Sequence, residues 1–133
     1  MPRILVVDDD ALVLTTLTMT LEALGHSVTA VTSAREANER ILPGHFDLVI
    51  TDILMPEMDG LELIRAIRNR DSALRIIAVS GGGYRGTQDF LHFASVFGAD
   101  AALPKPFNAE ALSQAIAQAM ADKSPPNPEA DKS

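Results

Sequence analysis

The chain alternates short, β-branched apolar runs with longer segments whose apolar residues recur at helical spacing. Five runs are predicted as strands: Ile4–Val7, Val28–Val31, Asp47–Thr51, Ile76–Val79 and Ala101–Leu103. A segment of helical period follows each of them. Such alternation favours a parallel sheet with helices on both faces, because each right-handed crossover returns over the sheet. The sequence therefore predicts a doubly wound α/β domain of five βα units.

Apolar spacing and capping residues mark the helices. The first helix is predicted to end at Gly25 and to bury the face formed by Leu14, Leu17, Leu21 and Leu24. A capping box formed by Ser33 and Glu36 opens the second helix, which ends near Leu42. Asn108 is predicted to cap the last helix. The other inner faces are predicted at Leu61, Ile64 and Ile67, at Phe90, Ala94 and Phe97, and at Leu112, Ile116 and Met120.

Composition fits one globular domain and excludes several classes of site. The chain has 133 residues, of which 47% are apolar and 22% are charged. Cysteine is absent, which excludes zinc–thiolate sites and cysteine catalysis and suits a cytoplasmic location. The net charge is −7 and the eleven basic residues are scattered, so we expect no direct nucleic-acid binding. No segment approaches the ~20 apolar residues of a membrane span.

The composition changes near the C-terminus. Residues 122–133 contain three prolines and no large apolar side chain. Such a segment cannot bury enough surface to offset its ordering entropy. We therefore predict a domain over residues 1–121 and a disordered, Pro-rich tail over residues 122–133.

Polar side chains with chemical potential follow the strands where they end. Asp8 and Asp9 follow the first strand, Asp52 the third and Ser80 the fourth, and Lys105 lies just past the fifth. In a doubly wound sheet, ligands bind outside the carboxyl ends of the strands. Three carboxylates at this edge would repel strongly, and a hard divalent cation such as Mg²⁺ would compensate them.

This set of groups suits a phosphoryl group bound through Mg²⁺. Lys105 and Ser80 would contact phosphoryl oxygens, and Gly81 leaves a backbone N–H accessible to them. A central carboxylate could act as the nucleophile and form an aspartyl phosphate.

The acids also have a simpler interpretation. Without Asp52 and Lys105, Asp8 and Asp9 would be interpreted as acids of a helix N-terminus, where carboxylates cap the helix and stabilise its dipole. Asp10 is interpreted in that way, as a first-turn capping acid.

Three motifs together resemble the receiver domain of two-component response regulators, including the stand-alone chemotaxis type. They are Val6–Asp10, Asp52–Gly60 and Leu103–Phe107, and the resemblance covers residues 3 to about 121. It implies a flavodoxin-like three-layer (βα)5 sandwich with strand order 2-1-3-4-5.

The resemblance also implies a role for each matching residue. Asp52 would be the phosphoacceptor, with Ser80 and Lys105 on the phosphoryl group. Mg²⁺ would be held by Asp8, Asp9, Asp52 and the backbone carbonyl of Leu54. Backbone groups of Ile53 and Gly81 would contact the phosphoryl group. The Lys105–Pro106 peptide bond is expected to be cis.

The implied function is a phosphorylation-driven switch rather than a conventional enzyme. A histidine kinase or histidine phosphotransfer protein would donate the phosphoryl group, and the domain itself would catalyse its own phosphorylation and dephosphorylation. The surface of the fourth helix, fifth strand and fifth helix would then bind an unidentified downstream protein or form a phosphorylation-dependent homodimer.

Two alternatives stay open at this point. Ala102 stands where many receivers carry Tyr or Phe, which motivates a phosphorylation-independent scaffold. If the switch operates, a mobile loop around Tyr84 would replace part of the coupling that the missing aromatic ring provides in relatives. The Asp8–Asp10 run imitates the Asp-x-Asp motif of haloacid-dehalogenase-type phosphatases, although no cap domain is apparent.

Overall fold

The computed structural model describes residues 2–42, 44–53, 60–71, 73–80 and 98–121, without the side chains of residues 61 and 80. These residues form five strands and four helices in the order β1 (Arg3–Val7), α1 (Ala11–Ala23), β2 (Ser27–Val31), α2 (Ala34–Arg40), β3 (Leu48–Asp52), α3 (Gly60–Arg70), β4 (Arg75–Ser80), β5 (Ala101–Pro104) and α4 (Ala109–Ala119). The predicted fourth helix, the loop around Tyr84 and the tail lie outside the described residues, so α4 is the helix predicted as the fifth.

The five strands form one parallel sheet in the order β2-β1-β3-β4-β5. This confirms the predicted flavodoxin-like topology. Strand order reverses between β1 and β3, where Val7 pairs with Thr51. The residues that follow these two strands therefore meet at the point where doubly wound folds bind their ligands.

The sheet separates two apolar cores. Leu5 and Val7 of β1 lie in the core covered by α2 and α3. Ile4 and Val6 lie in the core covered by α1 and α4. Because both faces of β1 are buried, its sequence is apolar throughout instead of alternating.

The ends of α1 confirm part of the predicted pattern and correct the rest. Leu14, Leu17 and Leu21 are buried, as predicted. Leu24 was predicted on the same face but is the C-cap residue and is 41% exposed. Gly25 follows with a φ of 95°, which is the left-handed conformation expected after a helix.

The predicted N-terminal caps of two other helices are present. The Ser33 hydroxyl accepts from the Glu36 N–H at 3.1 Å, while the Glu36 carboxylate contacts Arg40 at 3.4 Å instead of returning to the cap. The α2 helix ends at Arg40 and is shorter than predicted. The Asn108 side chain accepts from the Ala111 N–H at 2.8 Å and caps α4.

The predicted inner faces are mostly buried. Ile64 and Ile67 on α3 and Leu112 and Ile116 on α4 are buried, and Met120 packs partly buried against the same core as α4. Among the described residues, no helix combines the length and hydropathy that a membrane crossing requires.

Candidate functional site

Three carboxylates converge at the carboxyl edge of the sheet. Asp8 and Asp9 directly follow β1, and Asp52 is the last residue of β3. One oxygen from each lies within 4.8 Å of the other two. Asp8 and Asp52 are buried and Asp9 is exposed. The convergence predicted from the strand ends is therefore present.

The ammonium of Lys105 completes the charge arrangement. Its Nζ lies 3.0 Å from Asp8 Oδ2 and 3.5 Å from Asp52 Oδ2. Burial by itself would lower the pKa of Lys105, but the hydrogen bond to Asp8 and the charges of Asp52 and Asp8 outweigh it and raise the pKa above its ordinary value. The group is therefore held in its charged form. The Lys105–Pro106 bond is cis, as expected.

The Asp8 carboxylate is fixed through both of its oxygens. Its Oδ1 accepts from the Asp10 N–H at 2.9 Å, and its Oδ2 accepts from Lys105. Its own N–H donates to the Val31 carbonyl at 3.3 Å. The side chain is only 2% exposed, so these bonds replace the hydration that the carboxylate loses on burial.

The N-cap of α1 is Asp10. Its Oδ1 accepts from the N–H groups of Leu12 at 2.9 Å and Val13 at 3.4 Å. The capping interpretation of Asp10 is therefore confirmed. The simpler interpretation of Asp8 and Asp9 as caps is not, since both precede the cap and point into the carboxylate cluster.

Sequence reasoning placed Gly60 at the end of the Asp52–Gly60 motif, in the turn that opens the third helix, and assigned it no further role, but the structure places it against the Asp52 backbone. The Gly60 N–H donates to the Ile53 carbonyl at 2.8 Å. A Cβ at this position would lie 2.0 Å from the Asp52 carbonyl oxygen and 2.7 Å from the Ile53 Cα. Only glycine lets the first residue of α3 approach the Asp52 backbone this closely. A glycine directly before a helical pattern was the available signal.

The backbone group of Ile53 is already engaged. Its N–H donates to the Val79 carbonyl at 3.0 Å and continues the pairing of β3 with β4. The predicted bond from Ile53 to a phosphoryl oxygen would require this bond to be released or shared.

The remaining predicted site residues are only partly described. Ser80 is the last residue of β4 and pairs with Pro104, which places its backbone at the same edge of the sheet as the acids. The Ser80 side chain, Leu54 and Gly81 lie outside the described residues, so their roles stay predictions.

The carboxylate cluster fits a magnesium ion in chemistry. Its ligands are all oxygens, which Mg²⁺ prefers. Oxygens bound to one Mg²⁺ are at most about 4.2 Å apart, since each lies about 2.1 Å from the ion. Oxygens on neighbouring positions of the octahedron are about 3.0 Å apart. The oxygens of Asp8, Asp9 and Asp52 lie within 4.8 Å of one another, so they would move closer together to bind one ion directly.

A groove of about 490 Å³ runs beside the site, between α1 and the segment that joins β5 to α4. We call it the α1–α4 groove. Its walls include Leu12 and Leu17 of α1, Phe107, and Lys105 at the end nearest the acids. Leu12 is 75% exposed, so this groove offers an apolar surface directly next to the carboxylates.

Known proteins share both the sequence and the fold. The sequence profile of the response regulator receiver domain matches residues 4–117. The DNA-binding transcriptional regulator NtrC of Azospirillum brasilense is 37% identical over 123 residues, which cover 92% of this chain and 25% of that protein. Response regulator MprA of Mycolicibacterium vanbaalenii is 38% identical over 110 residues, which cover 83% of this chain and 46% of that protein.

A solved structure has the same architecture. The response regulator receiver domain protein from Clostridium thermocellum superposes with a TM-score of 0.77 at 31% identity, covering 90% of this chain and 94% of that one. The chain spans a quarter to about half of the curated relatives described above. With its sheet order, its acidic cluster and these matches, the chain belongs to the response regulator receiver domain family.

Proposed function

We propose that this domain accepts a phosphoryl group on Asp52 from a phosphohistidine of a kinase or phosphotransfer protein, and that the modification switches its partner-binding surface. The observation that carries the proposal is the convergence of Asp8, Asp9, Asp52 and Lys105 at the carboxyl edge of the sheet.

In the transfer step, an Asp52 carboxylate oxygen attacks phosphorus while the bond from phosphorus to the donor's imidazole nitrogen breaks. An acyl phosphate forms, and the imidazole leaves with the electron pair of the broken bond and takes a proton. Lys105 lies 3.5 Å from Asp52, so its ammonium is in place to stabilise negative charge on the phosphoryl oxygens. Mg²⁺ bound by Asp8 and Asp9 together with Asp52 would neutralise charge on the acids and on the phosphoryl group.

The surroundings of the acids favour Asp52 over Asp8 as the nucleophile. Both oxygens of Asp8 accept hydrogen bonds, and its side chain is 2% exposed. The Asp52 side chain is 10% exposed, and its backbone is held against Gly60. The Asp52 carboxylate is therefore the more accessible of the two to an incoming phosphorus, and the close packing of Gly60 against its backbone lowers the entropic cost of the attack.

The switch itself is a shift between two conformations. A phosphoryl group on Asp52 would attract the Lys105 ammonium and the Ser80 hydroxyl and stabilise the conformer in which both reach it. Lys105 directly follows β5, so its movement would alter the surface of β5 and α4. The downstream protein that binds this surface is to be identified by its dependence on phosphorylation.

Labelling with a small phosphoryl donor tests the proposal. With acetyl phosphate and Mg²⁺, the intact mass of the protein should rise by one phosphoryl group, and Asp52→Asn should abolish the gain. Asp47→Asn is the matched control, since Asp47 pairs with Arg3 near the start of β1, away from the acids. No gain in the wild type, or an equal gain in Asp52→Asn, would refute the assignment. Unlabelled protein that still binds its partner would favour the scaffold alternative.

We further propose that a helix of the histidine-bearing donor lies in the α1–α4 groove. The groove is apolar and ends at Lys105, so a helix bound there can present its imidazole to the adjacent carboxylates. Leu12→Asn removes the apolar side chain without adding charge near the acids, so it should slow transfer from the histidine donor and leave labelling by acetyl phosphate unchanged. Met19→Asn is the control, because Met19 is 65% exposed on the same helix but does not line the groove. Equal effects of the two variants would contradict this docking site.

A further inference from the structure

We infer that Asp10 is a positioning residue that holds Asp8 and Asp9 in the geometry of the metal site. The inference rests on the proposed Mg²⁺ site and adds a residue to it. Within the described part of the chain, the carboxylate cluster consists of Asp8, Asp9 and Asp52 and does not include Asp10. Asp10 would therefore act through its neighbours instead of contacting the ion.

Asp10 forms hydrogen bonds both to the carboxylate cluster and to the first turn of α1. Its N–H donates to Asp8 Oδ1 at 2.9 Å. Its side-chain Oδ1 accepts from the N–H groups of Leu12 and Val13, and its carbonyl accepts from the Leu14 N–H at 3.0 Å. Its φ and ψ of −88° and 112° are the extended values of an N-cap residue. One residue thus anchors the first turn of the helix and one oxygen of a metal-site carboxylate.

This anchoring also fixes Asp9, which lies between the two anchored residues. Asp8 is held by its N–H bond to the Val31 carbonyl, and Asp10 is held by the cap. Asp9 is exposed, so packing does not set the direction of its side chain. The backbone on either side sets it, and a loss of the cap would free that backbone.

The connection predicts a reciprocal effect. If the cap favours the metal-binding arrangement of Asp8 and Asp9, then bound Mg²⁺ must favour the cap by the same factor. The amides of Leu12 and Val13, which donate to Asp10, should therefore exchange with solvent more slowly when Mg²⁺ is present. Because bound Mg²⁺ also slows every amide that exchanges through global unfolding, the reference is the Glu36 N–H, which donates to the N-cap of α2. If Asp10 served only the stability of α1, Mg²⁺ would slow the Leu12 and Val13 amides no more than the Glu36 amide.

Two substitutions in the full chain separate positioning from charge. Asp10→Ala removes the cap, whereas Asp10→Ser keeps a side-chain oxygen for the helix amides and removes the negative charge. The dissociation constant for Mg²⁺ alone is measured by amide chemical shifts in a titration. The loss of an N-cap typically shifts an equilibrium about five-fold, which sets the expected weakening of Mg²⁺ binding in Asp10→Ala. Asp10→Ser should bind within about two-fold of the wild type.

Ser33→Ala is the matched control for lost helix stability. It removes the N-cap of α2, whose hydroxyl accepts from the Glu36 N–H and caps a different helix from the one that Asp10 caps. Its Mg²⁺ affinity should equal that of the wild type.

Each outcome bears on a different claim. Unchanged affinity in Asp10→Ala, or equal weakening in Asp10→Ala and Asp10→Ser, overturns the positioning role while leaving the metal site in place. A wild-type protein that binds no Mg²⁺ overturns the proposed site and this inference with it. If Asp10→Ala does not fold, the wild-type amides decide. Exchange at Leu12 and Val13 that Mg²⁺ slows no more than exchange at Glu36 overturns the inference.

Discussion

Neutralising Asp9 measures the repulsion on which the site is built. Its carboxylate lies within 4.8 Å of those of Asp8 and Asp52, and Lys105 compensates these two partners directly. At 4.8 Å, two unit charges repel by about 0.9 kcal/mol in bulk water and about 3.5 kcal/mol at an effective dielectric of 20. Asp9 is exposed, which favours the lower value for each of its two pairs. The two pairs together give about 1.7 kcal/mol at that value, and the nearby Lys105 charge offsets part of it. We therefore expect Asp9→Asn to raise the free energy of unfolding by about 1 kcal/mol without Mg²⁺.

The assay is urea unfolding at neutral pH and low ionic strength, with a chelator or with Mg²⁺. The ion stabilises any state that binds it, by about 2.7 kcal/mol at a concentration 100 times its dissociation constant. The wild type should gain this stability, whereas Asp9→Asn should gain much less because one ligand is lost. The order of stability of the two proteins should therefore reverse between chelator and Mg²⁺.

Asp10→Asn is the control for a charge removed from the same loop. Asparagine still caps a helix, and the Asp10 carboxylate lies outside the described cluster, so its stability should change by less than about 0.5 kcal/mol. If Asp9→Asn is no more stable than the wild type in chelator, or if Mg²⁺ stabilises both equally, the electrostatic account of the site is wrong.

Three further predictions concern single contacts. Gly60→Ala should destabilise the fold by about 1–3 kcal/mol and reduce labelling by acetyl phosphate, because its Cβ would overlap the Asp52 carbonyl; wild-type labelling would contradict the close approach. The hydrogen bonds from Arg3 lower the pKa of Asp47, so Asp47→Asn should cost up to about 1 kcal/mol at neutral pH, and the difference should vanish as the pH falls through the folded-state pKa of Asp47. The pKa of Lys105 is raised, so its charge should make the wild type more stable than Lys105→Met at pH values below 10.5, the ordinary pKa of lysine. This difference in the free energy of unfolding, measured with urea, should disappear as the pH rises through the folded-state pKa of Lys105. A difference that does not depend on pH would argue against the ion pairs.

The fold and the acid cluster could be predicted from sequence because both follow from strand ends. Parallel strands bring their carboxyl ends to one edge, so the residues after Val7 and Thr51 had to meet once β1 and β3 were neighbours. Residue spacing could indicate that strands and helices alternate. The resemblance supplied the strand order, which spacing alone does not determine.

The features that sequence could not supply depend on backbone contacts between distant segments. The apolar periodicity does not show where a helix ends, so it placed Leu24 on the buried face although the helix ends one residue earlier. No pattern indicated that the Ile53 N–H would be used by Val79, or that the start of α3 would touch the Asp52 carbonyl. These contacts follow from sheet register and helix packing, which are set in three dimensions.

The position of the Lys105 ammonium limits how tightly a cation can be held. Lys105 is an internal counter-ion for Asp8 and Asp52, two of the three carboxylates in the cluster. An entering cation therefore replaces an existing attraction instead of binding to uncompensated negative charges. The net free energy of cation binding is only the difference between the attraction of the carboxylates to the cation and their attraction to Lys105. A receiver built in this way would fold without a bound cation, and the proposed Mg²⁺ would bind to it and leave it reversibly.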